Sequence, residues 1–179
     1  MEKKPVLIAI LVGVLILIIT NYSYFDQGLD NFVNEYETVV VDRVIDGDTV
    51  KIIPISKSET KNKSEKTIRL LGINSPEKGE KFYNEAKEFL KSEILNKTAR
   101  LEYGLDKKDR YGRYLAYIHY NTRNINREMI KEGYANPYFP KGKKENYEDF
   151  YNSWKKCVSE EKNYCETSKN KCSDCMELK

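Results

Sequence analysis

Histidine is almost absent from the sequence, which contains one, His119, among 179 residues. A ribonuclease mechanism that needs two histidines, one as general base and one as general acid, is therefore excluded. His119 lies within a run of strand-forming residues, and we interpret it as structural. The sequence also lacks internal repeats and low-complexity segments. Its length predicts one globular domain with short additional segments.

A large excess of one charge sign is also missing, since the formal net charge is only +3. Such a balance does not require a polyanionic partner. It allows one where positive charge is locally concentrated. A nucleic-acid-binding function must therefore rest on particular residues.

Charged residues are missing from residues 6–20, an apolar run that follows two lysines. A spanning helix needs about 17 to 25 residues, and three aromatic residues extend the run as an interfacial belt. Because no small-residue cleavage site follows, we favour a signal anchor at residues 1–25, with membrane contact through residues 6–25, over a cleaved signal peptide or a core helix. The preceding lysines predict that the remaining chain faces the outside.

Cysteine is absent from the first 156 residues, and all four cysteines lie in the last 23. Outside a membrane, such a cluster favours two disulfides. A four-thiolate zinc site and free thiols are the alternatives. The predicted cysteine-rich tail, residues 161–179, is thus a stapled appendage. The cysteines are Cys157, Cys165, Cys172 and Cys175.

Between a polar tether at residues 26–36 and the tail, residues 37–160 have the pattern of one domain. β-branched runs predict five strands, two of them hinged at the glycine of IDGDTV, and amphipathic spacing predicts about three helices. This order is that of an α+β, mainly β, five-stranded OB-type Greek-key barrel. The predicted strands lie within 38–53, 67–73, 98–103 and 113–120, and the helices within 79–95, 126–132 and 144–159.

Three short segments carry candidate chemistry. IDGDTV sets Asp46 and Asp48 on either side of a glycine, and Asp48 is of the hard-oxygen type that calcium prefers. RLLGINSPE places Arg69 on a strand before a loop fixed by proline. DKKDRYGRYLAY combines basic residues with a tyrosine, a combination suited to phosphate and base contacts. Each segment alone is also typical of an ordinary solvated surface.

Taken together and in this order, IDGDTV, RLLGINSPE and DRYGRYLAY resemble the staphylococcal nuclease (thermonuclease) family over residues 37–160. The resemblance implies an OB-type barrel with three helices. It also implies calcium-dependent hydrolysis of DNA and RNA that breaks the bond from phosphorus to the 5′-oxygen and leaves 3′-phosphate ends.

The resemblance also implies roles for individual residues. Two arginines match the phosphate clamp, and a glutamate matches the residue that activates or orients the attacking water. An aspartate and a backbone carbonyl match calcium ligands, with a second acid nearby. The catalytic candidates are Arg69, Glu77 and Arg113, the metal-site candidates are Asp48, Asn74 and Ser75 with Asp46 close by, and the nucleotide-binding candidates are Tyr111, Arg110 and Tyr138.

Asn74 departs from the family pattern, which has an aspartate ligand at this position. An amide oxygen carries no charge, and calcium affinity depends on the charge of the ligands. We therefore expect a weakened calcium site or tolerance of another divalent ion. The loops around residues 56–66 and 77–86 also differ in length from the family pattern.

These residues predict a membrane-anchored or secreted, divalent-dependent nuclease that acts on DNA or RNA and has no obligate protein partner. The alternative from a different class is a nucleic-acid- or protein-binding module on the same barrel with little or no activity. A structural envelope protein held by disulfides is a third reading, and it predicts no cleavage.

Overall fold

The computed structural model describes residues 13, 17, 36–55, 64–140, 142 and 146–167. The chain divides into two units, Met1–Tyr36 and Glu37–Lys179. Of the first unit, Gly13 and Leu17 are described as helical. Within the described part of the chain, no helix combines the length and the hydrophobicity that a membrane span requires. The rest of the predicted membrane segment and tether lies outside the described residues.

The described residues from Tyr36 onward form eight strands and four helices. The strands are β1 (Tyr36–Val44), β2 (Thr49–Pro54), β3 (Lys66–Leu70), β4 (Ile73–Asn74), β5 (Thr98–Lys108), β6 (Tyr114–Tyr120), β7 (Arg123–Asn124) and β8 (Asn136–Pro137). The helices are α1 (Tyr83–Ile94), α2 (Ile125–Lys131), α3 (Tyr147–Ser159) and α4 (Tyr164–Thr167).

Five of the strands close into a barrel. The main sheet runs in the order β3-β2-β1-β5-β6-β7, and a further parallel pairing between β3 and β6 closes the first five of these strands, leaving β7 outside the barrel. The short strands β4 and β8 form a separate antiparallel ladder. This arrangement confirms the predicted OB-type barrel with three longer helices.

A β-bulge in β1 keeps its apolar side chains inside the barrel. Val39 and Val41 are buried at alternate positions, and the register with β2 then shifts between Val41 and Arg43. One extra residue reverses the alternation, so Val44 rather than Arg43 faces the core. The core is therefore continuous along the strand that leads into IDGDTV.

The helices cover the barrel with the faces that their spacing predicts. Ala86, Leu90 and Ile94 of α1 are fully buried. Helix α2 ends at Lys131, and Gly133, whose φ is +74°, follows its C-cap. The Gly133 amide donates to the Ile130 carbonyl, as expected for a glycine that stops a helix. Helix α1 and the α2 end thus meet across the stacked pair Phe89 and Tyr134.

Two predicted strand boundaries are wrong. The third strand ends at Leu70 rather than at residue 73, because the backbone turns at Gly72 (φ +73°) before β4 begins. The fourth strand continues to Lys108 rather than stopping at residue 103. Charged residues concealed this extension, since they weaken the apolar alternation that signals a strand.

One disulfide, Cys157–Cys165, joins α3 to α4, with 5.9 Å between the Cα atoms. Both cysteines are buried, and the bond removes them from the alternative of a four-thiolate zinc site. Cys172 and Cys175 lie outside the described residues, so their predicted pairing stays a prediction. Helix α4 was not predicted from the sequence.

Candidate active site

The IDGDTV segment forms the tight turn between β1 and β2. The Thr49 carbonyl accepts a hydrogen bond from the Asp46 amide (3.3 Å), and Asp46 Oδ1 accepts one from the Asp48 amide (3.0 Å). A Cβ atom at Gly47 would lie 2.6 Å from Ser75 Cβ. Glycine is therefore required for the close approach of this turn to the NSPE loop.

The Asp48 carboxylate is buried and receives donors from three parts of the chain. Its Oδ2 accepts hydrogen bonds from the Ser75 amide (2.9 Å) and the Ser75 hydroxyl (3.1 Å). Its Oδ1 accepts one from the Thr49 hydroxyl (3.1 Å) and lies 3.1 Å from Arg69 Nε. These donors satisfy the hydrogen-bonding capacity of a buried carboxylate, which would otherwise be costly to bury.

The Arg69 guanidinium is fixed along its inner edge and reaches the surface at Nη2. Nη1 donates to the carbonyls of Leu70 (2.6 Å) and Ile73 (2.8 Å), across the turn that joins β3 to β4. Nη2 donates to Asn74 Oδ1 at 3.0 Å, in an exposed position. Arg69 therefore links the carboxylate of Asp48 to the loop that begins at Asn74.

The NSPE loop buries its middle and exposes its end. Ser75 and Pro76 are buried, and Glu77 is exposed. The Glu77 amide donates to Glu80 Oε2 (2.8 Å), and the Glu80 amide donates to the Glu77 carbonyl (2.9 Å). This reciprocal pair fixes the Glu77 backbone and leaves its side chain toward solvent.

The second arginine, Arg113, lies in a local turn built around Asp109. Asp109 Oδ1 accepts hydrogen bonds from the amides of Tyr111 (2.9 Å) and Arg113 (3.0 Å), and Oδ2 accepts one from Arg113 Nε (2.7 Å). The guanidinium carbon of Arg110 lies 4.8 Å from the Tyr111 ring centre, and that of Arg113 lies 5.5 Å away. The turn thus presents a tyrosine ring flanked by two arginines.

Strand pairing brings the two arginines near each other. In the parallel β3–β6 pair, Arg69 lies opposite Leu115, two residues after Arg113. Two residues span about 6.6 Å along a strand. Arg69 on β3 and Arg113, the residue immediately before β6, are therefore offset by about two residues along this strand pair.

Tyr138 lies beside the turn that joins β3 to β4. Its amide donates at 2.8 Å to the carbonyl of Gly72, which lies between Arg69 and Asn74 in the sequence. Its side chain is 39% exposed. The β4–β8 pairing, in which Asn74 lies opposite Asn136, therefore places Tyr138 next to the segment that carries the other candidates.

Sequence reasoning missed two residues that support the site. Asp109 organises the Arg113 turn, and its place two residues before Tyr111 was a local signal for an Asx turn. Asn126 is fully buried; its Nδ2 donates to the Leu71 carbonyl (2.9 Å) and its Oδ1 accepts from the Ile118 amide (3.0 Å). No local pattern indicates the Asn126 contact, because its partner Leu71 is 55 residues away.

The candidate metal ligands are chemically suited to a hard cation. All are oxygen donors, and burial together with the Asp48 charge raises the pKa of Asp46, as expected where two carboxylates share a small volume. These ligands carry little negative charge for a divalent cation. Within residues 36–55, 64–140 and 146–167, no group of three or more acidic, histidine or cysteine side chains is placed to hold a metal. Arg69 and Ser75 already supply donors to Asp48, and the third side-chain candidate, Asn74, is neutral.

Comparison with known proteins identifies the family of this chain. A family model described as "Staphylococcal nuclease homologue" matches residues 67–164. The chain belongs to the staphylococcal nuclease family. The Thermonuclease of Staphylococcus hyicus is 36% identical over 118 residues, which cover 63% of this chain and 64% of that protein.

Other family members have similar identity. The Thermonuclease of Staphylococcus intermedius is 35% identical over 109 residues (58% of this chain, 61% of that protein). Endonuclease YncB of Bacillus subtilis is 32% identical over 105 residues (54% of this chain, 46% of that protein). The chain thus spans less than two thirds of the length of each of these three relatives.

Proposed function

We propose that this nuclease-family chain is a divalent-cation-dependent endonuclease that hydrolyses phosphodiester bonds in DNA and RNA to 3′-phosphate products. The observation that carries the proposal is the placement of Arg69 on β3 and of Arg113 immediately before β6, the strand that pairs with β3. The NSPE loop that follows Arg69 adds an exposed Glu77 with a hydrogen-bonded backbone. Relatives named Thermonuclease and Endonuclease support the reaction class.

In this proposal the arginines bind the scissile phosphate. Phosphodiester hydrolysis concentrates negative charge on the non-bridging oxygens, and fixed guanidinium groups stabilise that charge. Arg69 presents its surface-facing Nη2, whereas Arg113 is held through Nε by Asp109 and keeps its terminal nitrogens for the substrate. Arg110 and Tyr111, with Tyr138 on the other side, bind the adjoining nucleotide.

Glu77 acts on the attacking water. Its carboxylate accepts the water proton or orients the water while the new bond from oxygen to phosphorus forms. The bond from phosphorus to the 5′-oxygen breaks, and that oxygen takes up a proton to become the 5′-hydroxyl of the second product. The hydrogen bond from the Glu77 amide to Glu80 Oε2 restrains the backbone that carries the Glu77 carboxylate.

Calcium would be held by Asp48, by the Asn74 amide oxygen and by the Ser75 carbonyl, with Asp46 nearby. A bound divalent ion would supply positive charge beside the phosphate oxygens. Because Asn74 is neutral and Arg69 already balances Asp48, we expect weak calcium affinity or use of another divalent ion. Asn74→Asp should tighten calcium binding about tenfold, measured by calorimetry without substrate; an unchanged titration would remove Asn74 from the ligand set.

We also propose that the domain acts outside the membrane, anchored or released by cleavage of the N-terminal segment. The apolar run and the preceding lysines support this location, as does the disulfide, which is a bond typical of oxidising compartments.

The test is cleavage of single-stranded DNA and RNA by the full-length chain, with calcium titrated to several millimolar and a chelator control. Glu77→Gln should lower the rate by about 100-fold or more, whereas Glu88→Gln, at an exposed acid of α1, should not. Products with 3′-phosphate ends that disappear with chelator support the proposal. Equal rates for Glu77→Gln and the unmodified chain contradict the role of Glu77.

A binding module without activity is the second candidate. The observation that favours it is the number of protein partners on Asp48 and Arg69, which together form a charge-balanced pair without a metal. Binding of oligonucleotides without cleavage, at every divalent concentration tested, would select this function.

A further inference from the structure

The long strand β5 departs from its partner β6 between Tyr103 and Lys108. Tyr103 lies opposite Ala116 and Lys108 lies opposite Tyr114, so residues 104–107 face a single residue of β6. We name these four residues, together with Lys108, the β5 bulge. Extra residues in one strand of a pair are left without a ladder partner, and the strand bends there. None of the candidate site residues lies within this insertion.

The base of the β5 bulge is fixed rather than loose. A Cβ atom at Gly104 would lie 2.6 Å from Leu71 Cδ1, so the bulge rests on the turn that joins Arg69 to Asn74. At the other end, Lys108 Nζ lies 4.4 Å from the centre of the Tyr114 ring, a cation–π distance. The bulge is therefore attached directly beside the candidate active site.

The surface of this connection combines apolar and basic groups. Leu105 is 94% exposed and Tyr111 is 69% exposed, the two most exposed large hydrophobic side chains among the described residues. Lys107 and Lys108 lie between them and are exposed, as is Arg110. The stretch also contains two acids, Asp106, which is exposed, and Asp109, whose carboxylate is bound to Arg113. Alternating apolar and cationic contacts of this kind suit a single-stranded nucleic acid, which offers unstacked bases and phosphates side by side.

We propose that the β5 bulge is an accessory binding surface for single-stranded polynucleotides longer than the segment that the active site itself holds. Lys107 and Lys108 contact backbone phosphates, and Leu105 contacts a base face. This inference rests on the proposed function, because it assigns the path that a bound polynucleotide follows beyond Arg113. It predicts that the bulge matters for long substrates and not for a dinucleotide.

The experiment compares a triple variant, Leu105→Ser with Lys107→Ser and Lys108→Ser, with a control that removes the same lysine charge elsewhere. The control is Lys155→Ser with Lys156→Ser, at two adjacent exposed lysines of α3. Binding of a fluorescent 12-nucleotide thymidine oligomer is measured with the full-length chain in chelator. Cleavage of the same oligomer and of a thymidine dinucleotide is measured in calcium.

The triple variant should bind the 12-mer about tenfold more weakly, and its 12-mer-to-dinucleotide ratio of kcat/KM should fall by a similar factor. The slope of log affinity against log salt should become shallower by about 1.4, because each single-strand phosphate contact contributes about 0.7. The α3 control should change none of these quantities more than twofold. This pattern supports the proposal.

Three results would overturn it: 12-mer binding equal to that of the unmodified chain, an equal loss in the control, or an equal loss of dinucleotide and 12-mer cleavage. If 12-mer binding is unchanged, binding of the triple variant to phosphatidylserine vesicles is measured as well. A loss of vesicle binding would then identify the bulge as a membrane contact. If the unmodified chain binds the 12-mer but never cleaves it, the proposed nuclease activity fails while the chelator measurement still decides the role of the bulge.

Discussion

The two arginines of the candidate site lie in regions of opposite construction. Arg69 is 12% exposed and contacts Asp48, a residue of the turn between β1 and β2, together with two backbone carbonyls. Arg113 is 31% exposed and contacts Asp109, four residues earlier in the same turn. The Arg69 region is thus part of the folded core, whereas the Arg113 region is a local surface turn. The two arginines have the same proposed role, but replacing them should therefore affect the stability of the fold unequally.

The largest expected effect is on the Arg69 region. Arg69→Ala leaves the buried Asp48 charge without a cation, and loss of one partner of a buried pair costs about 3 to 5 kcal/mol of unfolding free energy. Urea denaturation followed by circular dichroism measures this loss. Adding Asp48→Asn to Arg69→Ala should recover part of it, since the unpaired charge is then gone. A loss no greater than that of Arg113→Ala would contradict the contrast between the two regions.

The next effect concerns activity in the Arg113 region. Arg113→Ala should cost about 3 kcal/mol of transition-state stabilisation, or about 100-fold in rate, while the unfolding free energy falls by less than about 1 kcal/mol. Cleavage kinetics and urea denaturation of the same preparation measure both. Arg123→Ala is the control, because Arg123 is a comparably exposed arginine in β7, paired with Glu93. A rate within twofold of the unmodified chain would remove Arg113 from the phosphate clamp.

A smaller effect tests the contact between the Asp48 turn and the NSPE loop. Gly47→Ala introduces a Cβ atom that would meet Ser75 Cβ at 2.6 Å, and overpacking costs about 1 to 3 kcal/mol. Thermal denaturation should show the loss. Combining Gly47→Ala with Ser75→Gly removes the opposing Cβ atom and should restore part of the lost stability. If the loss came from the backbone of residue 47 alone, the second change would restore nothing. Undiminished stability of Gly47→Ala would show that the turn can shift freely.

The smallest effect concerns pH dependence in the Arg113 turn. Burial acts to raise the pKa of Asp109, but the hydrogen bonds from Arg113 and Tyr111 outweigh it and lower the pKa. A lowered carboxyl pKa contributes stability above the ordinary carboxyl pKa, and that stability is lost as the pH falls through the folded-state value. Asp109→Asn should cost about 0.5 kcal/mol at neutral pH, with a smaller difference in acid. A difference that grows on acidification would reverse the assigned sign.

Local parts of this fold and site follow from the sequence. The β-branched runs predicted the barrel strands, the apolar spacing predicted the buried face of α1, and Gly133 predicted the end of α2. The same holds for the Asp109 turn, although it was not recognised, because all its hydrogen bonds join residues within four positions. These features depend on contacts between near neighbours, which residue type and spacing describe directly.

Tertiary structure alone decided how these parts meet. The hydrogen bonds from Ser75 to Asp48 span 27 residues, and the one from Asn126 to Leu71 spans 55. The parallel β3–β6 register sets Arg69 near Arg113, and the 104–107 insertion in β5 emerges only when β5 and β6 are aligned. The sequence by itself determined the order of the chemical groups and their local turns. Their convergence required the closed barrel, since pairing register and close backbone approach depend on distant segments that no local pattern encodes.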